Sequence, residues 1–165
     1  MAVNVFRWIR THRRLTAGLV VAAGLIALNV VAFNQAWSMT HFQEGGTKTA
    51  NPESLSLLQK VRVSLLGVSL PRPQNTIGPQ SVGLAFETHR FGGTQGDELE
   101  AWHIPCEKAK GLVLFAHGYG ACKASLLLEA RALHRMGYAA FLLDFHGSGG
   151  SRGNGTSIGV KNRLP

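Results

Sequence analysis

Acid is absent from the first 14 residues, cysteine is nearly absent from the whole chain, and charged residues make up only 16% of its 165 residues. The two cysteines, Cys106 and Cys122, lack CxxC spacing and are too few for a disulfide scaffold. The seven histidines are scattered without ligand spacing, so no tetrahedral zinc cluster or other metal site is expected. No GxxxxGK[ST] string occurs, and no GxGxxG leads into a helix followed by an acidic ribose partner. No organic cofactor is implied. Of the net charge of +8, half comes from four arginines in the first 14 residues. That leaves no basic stripe for the folded part, and nucleic acid is not an expected partner. What is present, 45% hydrophobic residues with 20 glycines, suits one globular domain rather than a disordered or collagenous chain.

The basic flank 1–14, with Arg7, Arg10, His12, Arg13 and Arg14, abuts an uncharged run from Leu15 to Trp37. As a helix those 23 residues extend about 34 Å at ~1.5 Å per residue, enough for a ~30 Å hydrocarbon layer. Trp8 and Trp37 bracket the run as interfacial residues do, and Asn29 and Asn34 are its polar interruptions. The expectation is a single transmembrane anchor over 15–37, in contact with the lipid bilayer. Its amino terminus would be cytoplasmic and the remainder non-cytoplasmic, because the arginines stay inside. Two alternatives stand beside it. One is a signal peptide cleaved after Ala36, against which the length of the run and Asn34 both argue. The other is a buried core helix.

Residues 38–83 read as a juxtamembrane linker holding a short amphipathic helix over 52–67. Asn51 would cap it, Pro52 and Glu53 suit its first turn, and Gly67 would stop it. Leu58, Val61, Leu65 and Val68 fall on one face, to be packed on the domain or laid on a bilayer. Pro71, Pro73 and Pro79 make 70–83 an extended connector. Strands over 84–89 and 98–104, turning through Gly92, Gly93 and Gly96, read as an edge hairpin. In it Leu99, Ala101 and Ile104 alternate with Glu100 and His103.

From residue 111 the pattern changes. Gly111 to Ala116 is a continuous apolar run suited to a parallel strand covered on both faces. Residues 122–136 are helix formers with an apolar face at Leu126, Leu127, Ala130 and Leu133, stopped by Gly137. Tyr138 to Phe145 is a second buried strand. The fold class is therefore α/β, built on a βαβ unit. Chemistry in such sheets sits at the carboxyl ends of the strands, which here are His117-Gly118-Tyr119-Gly120 and the stretch from Asp144 to Ser151.

The strand ending in His117-Gly118, the helix with Lys123-Ala124-Ser125, and Asp144-x-x-Gly147-x-Gly149-x-Ser151 together resemble the amino-terminal part of the α/β-hydrolase fold. The similarity is to serine hydrolases of the esterase and serine-aminopeptidase kind. The stretch 153–159 is similar to members with a membrane anchor, although members often carry Arg where this chain has His146. The resemblance implies an amino-terminal fragment of an α/β-hydrolase domain over 84–165. It also implies hydrolysis of a small-molecule ester, thioester or amide. It assigns the Tyr119 backbone N–H to the oxyanion hole, where a fixed donor stabilises the acyl-transfer oxyanion. His117, Gly118, Gly120, Asp144 and Gly147 become loop-shaping residues.

No nucleophile is expected in the chain. Two strings match GxSxG, Gly149-Gly150-Ser151-Arg152-Gly153 and Gly155-Thr156-Ser157-Ile158-Gly159, but neither follows directly on an apolar strand and leads into a helix, as a nucleophile elbow must. The triad order Ser, then Asp or Glu, then His also sets Asp144 aside, since it precedes any nucleophile. The expectation is a truncated membrane-anchored hydrolase, inactive as given. The alternative is a non-enzymatic membrane-anchored binding or assembly module.

Overall fold

The computed structural model describes residues 12–92 and 98–156. Arg7, Arg10, Trp8, Gly93, Gly96 and the second GxSxG serine, Ser157, lie outside them. The chain divides into two compact units. One comprises the described residues up to Trp37 with Asn51–Gly67. The other comprises Ser38–Ala50 and the described residues from Val68 onward.

The first unit is helical. Helix α1 runs Arg13–Thr40, with the unit boundary inside it after Trp37. Among the described residues it is the one helix long and apolar enough to cross a membrane, and it has no buried residue. Asn29 satisfies one amide donor on the Leu25 carbonyl at 2.8 Å, one turn back, which makes a polar side chain tolerable in an apolar helix. A short 3₁₀ turn, Pro52–Ser54, precedes helix α2, Leu57–Leu66. The expected cap is corrected here. Asn51 makes no side-chain capping bond, and Ser56 caps α2 instead, in a reciprocal capping box with Gln59. The string Ser56-x-x-Gln59 carries that signal. Gly67 ends α2 with φ +89°, so Val68 falls outside it. Carbonyls of the last turn of α2 receive side-chain amides: Asn34 donates to Leu65 O at 3.2 Å, and Gln35 donates to Ser64 O at 2.8 Å and to Val63 O at 2.9 Å, the last of which also accepts the Gly67 N–H.

The second unit holds a four-stranded mixed sheet: β1 Glu87–Gly92, β2 Glu98–Ile104, β3 Leu112–Ala116 and β4 Ala139–Asp144, in spatial order β1-β2-β4-β3. The β1–β2 and β2–β4 pairs are antiparallel and β3–β4 is parallel. The crossover from β3 to β4 is a 3₁₀ turn, Lys123–Leu126, continuing into helix α3, Leu127–Arg135. Of the apolar face expected of residues 122–136, Leu127 and Ala130 are buried and Leu126 packs partly against the same cluster, while Leu133 is only half-buried. Leu127 and Ala130 meet Trp102, Ile104, Ala140 and Leu142 in one buried cluster with Leu84, Cys122 and Ala124. Burying a side chain the size of Leu127 stabilises by about 1.5–3 kcal/mol.

Two expectations change. The hairpin is not wholly an edge: β2 lies inside the sheet between β1 and β4, and Glu100 is buried rather than solvent-facing. Nor is β3 covered on both faces. Val113 and Phe115 turn toward the α3 side, while Leu112 and Leu114 on the other face are 61% and 66% exposed. The first strand begins at Glu87, three residues later than its pattern suggests.

Candidate active site

The carboxyl ends of the parallel strands β3 and β4 lie side by side, and their loops are tied together by side chains. His117, at the end of β3, accepts the Phe145 N–H on Nε2 at 3.1 Å. That bond places its proton on Nδ1, which donates to the Gly118 carbonyl at 2.8 Å. Both ring nitrogens are thus engaged, the side chain is buried, and the imidazole ties the two loops together. Its Nε2 stands 4.0 Å from Asp144 Oδ1, beyond a hydrogen bond.

Asp144 is fully buried and accepts four donors. The Lys123 backbone N–H reaches Oδ1 at 2.7 Å. Lys123 Nζ, Asn75 Nδ2 and the Gly150 N–H reach Oδ2 at 2.5, 2.6 and 2.8 Å. Lys123 Nζ also contacts Glu100 Oε1 at 2.8 Å and stands 4.4 Å above the Trp102 ring. Arg90 closes the chain of charges, with its NH2 2.9 Å from Glu100 Oε2. Two cations thus alternate with two carboxylates, which is what allows a lysine and an aspartate to be buried at all.

The same carboxylates explain the glycines. Gly149 adopts φ +52°, and a Cβ there would enter the Asp144 carboxylate; one on Gly150 would enter that of Glu100. Every amide from Gly147 to Arg152 has an acceptor: Arg152 O, Phe145 O, Pro73 O, Asp144 Oδ2, Ser148 O and Glu98 O in turn. Ser151, the serine of the first GxSxG string, is 1% exposed. Its Oγ donates to Asp144 O at 2.7 Å and accepts the Glu100 N–H at 2.9 Å. Both of these bonds are to the backbone, of β4 and of β2, and they tie the loop to the sheet. Among the described residues there is no Ser–His–Asp triad.

The Gly118–Ala121 turn differs. Ala121 N–H donates to Gly118 O at 3.2 Å, with Gly120 at φ +68° in the third position, as a type II turn requires. Among the described residues the Tyr119 N–H has no acceptor. The Tyr119 ring is half exposed, and its hydroxyl donates to the Met39 carbonyl at 2.5 Å. Partial burial raises its pKa.

The sequence pattern assigned no site role to Lys123, Glu100, Asn75 or Arg72. The last two come from the proline-rich connector, which is bonded to the loops. Arg72 donates to Ser151 O at 2.6 Å and Gly153 O at 3.0 Å. Isolated charges in apolar surroundings, such as Glu100 within β2, were the available signal. Expected metal spacing was absent, yet strand pairing brings Glu87, His89 and His103 together.

No family model matches the sequence, and no curated protein does. Among solved structures, an esterase of Pyrococcus furiosus is similar at 22% identity and a TM-score of 0.48 over 57% of this chain and 38% of its own. An α/β hydrolase of Vibrio vulnificus is similar at 20% identity and 0.41, over 70% of this chain and 44% of its own. An α/β hydrolase of Penicillium sp. is similar at 25% identity and 0.38, over 42% and 25%. The chain therefore spans less than half the length of each of these proteins.

Proposed function

We propose that this chain forms the amino-terminal part of a membrane-anchored serine hydrolase acting on a small ester, thioester or amide. The observation that carries the reading is the Tyr119 N–H. It has no acceptor among the described residues, and it sits in a fixed turn at the carboxyl end of a parallel strand. A preorganised donor at that place suits the oxygen of a tetrahedral acyl-transfer intermediate. His117 and Asp144 act by holding the two loops in register, and Gly118, Gly120 and Gly147 by permitting their backbone paths. The reaction also needs a serine nucleophile, its activating histidine and an acid, none of which the described residues supply.

The chain by itself is therefore expected to be inactive. Purified in detergent, it should not hydrolyse a panel of activated esters; turnover abolished by a serine-directed inhibitor would overturn this. The coding DNA following Pro165 should specify an apolar strand running into GxSxG, then an acid and a histidine. A stop codon with none of these in any frame would overturn the hydrolase reading. It would favour a binding or assembly module, for which the exposed Leu112 and Leu114 face speaks.

In the same reading α1 is a single-pass anchor with its arginine-rich end in the cytoplasm. The length and apolarity of α1 support it, as does the four-to-zero excess of Arg over acid in the first 14 residues. A reporter fused after residue 80 should be active only on the non-cytoplasmic side, and cytoplasmic activity of a membrane-bound fusion would overturn the orientation. An intact mass separates an anchor from a signal segment cleaved after Ala36.

A further inference from the structure

Glu87, His89 and His103 sit on the β1–β2 hairpin, on the sheet face opposite the α3 core. Pairing dictates the placement. Glu87 is the direct partner of His103, and His89 follows Glu87 by two positions on the same strand, so all three side chains emerge on one face. Phe141, the partner of His103 on β4, borders them, its ring centroid 6.1 Å from that of His89 and 6.4 Å from that of His103. Glu100, three positions from His103, points to the other face. The cluster is thus separate from the Lys123–Asp144 network.

One carboxylate oxygen collects both imidazoles. Glu87 Oε2 is 3.4 Å from His89 Nε2 and 3.5 Å from His103 Nδ1. Charge-assisted hydrogen bonds close to about 2.7–2.9 Å. The edge of a tetrahedron around zinc, with bonds of ~2.0–2.1 Å, is about 3.3–3.4 Å. The two separations match the edge better than the bond. One ligand atom from each of the three residues lies within 4.8 Å of the other two. The His89 side chain is half exposed, so rotating its ring can shorten the remaining edge. Two imidazoles and one carboxylate suit a borderline divalent cation rather than Mg²⁺ or Ca²⁺, which prefer six or more oxygens.

We propose that Glu87, His89 and His103 bind one Zn²⁺, with a fourth position open to water or an exogenous ligand. The metal would cross-link β1 to β2. The site is reached from solvent, since Glu87 and His89 are both exposed.

The test is titration of zinc alone into the full chain in detergent micelles, by calorimetry and by bound-metal analysis. One zinc per chain is expected. His89→Ala and His103→Ala should each weaken it at least ~10–100-fold, the loss that even an outer-shell substitution causes. His103→Cys, which still offers a ligand, should retain it, guarding against a folding defect. Cys106→Ser and Thr88→Ala should leave it unchanged. Cobalt(II) should give the visible absorption of a four-coordinate site without a thiolate charge-transfer band. Absence of a one-to-one site, unchanged affinity in His103→Ala, or loss that follows Cys106→Ser would each overturn the proposal.

Discussion

Lys123 holds Asp144 with both its ends: the backbone N–H lies 2.7 Å from one carboxylate oxygen and the ammonium 2.5 Å from the other. The first bond fixes where the crossover helix starts, and the second neutralises the buried charge. One residue thus sets both the polypeptide path after β3 and the electrostatics at the end of β4.

Lys123→Met should therefore destabilise the sheet unit severely. It leaves Glu100 and Asp144 as buried carboxylates short of a cation, a loss of about 3–5 kcal/mol when one partner of a buried pair is removed. The triple variant Lys123→Met, Asp144→Asn, Glu100→Gln should recover much of that loss. Denaturant melts of the three proteins check the order.

The glycines of the two loops should behave differently. Gly149→Ala places a methyl group into the Asp144 carboxylate at positive φ, costing at least ~1–3 kcal/mol from backbone strain alone. Gly118 has nothing within 4 Å of the Cβ position, so Gly118→Ala should change stability by less than ~0.5 kcal/mol. Thermal shifts of the two variants give the comparison directly.

Thiol chemistry should separate the cysteines. Cys122 is buried, and desolvation raises its pKa, disfavouring the thiolate that reacts. Iodoacetamide at neutral pH should label Cys106 first and Cys122 only on unfolding, as peptide mass mapping will show. Because the folded thiol is the harder to ionise, its contribution to stability is complete below the ordinary thiol pKa. It is lost as pH rises through the higher folded value.

Leu114 is 66% exposed in the middle of β3, the strand at one end of the sheet order. Leu114→Lys should reduce aggregation of the detergent-solubilised chain with little change in its melting temperature, since a charge on an edge strand discourages pairing with other chains. Light scattering during heating measures the first effect and circular dichroism the second.

Segments written as continuous apolar runs were legible, and β3 and β4 lie within a residue or two of their expected bounds. The interior position of β2 was not. Its alternation reads like one-sided burial, yet β4 pairs with it and Glu100 faces a buried ammonium. Local pattern assumes that polar means outward, and a buried ion pair breaks the rule at both partners. The helix start at Ser56 was encoded in its capping box, but Asn51-Pro52 offered a competing signal and formed only a 3₁₀ turn. Of the site, the glycine loops were visible. The roles of Lys123 and Asn75 were not, because they reach Asp144 across 21 and 69 residues of chain.

A segment as glycine-rich as Gly147–Arg152 would ordinarily be the first place a protease cuts. Here six successive amides are bonded, and a protease must draw its substrate out as an extended strand before cleavage. Opening this loop means breaking those bonds together with the Arg72 contacts and exposing Asp144. Trypsin should therefore reach Arg152 only through sub-global unfolding, and the amide protons of 147–152 should exchange as slowly as those of the strands beside them.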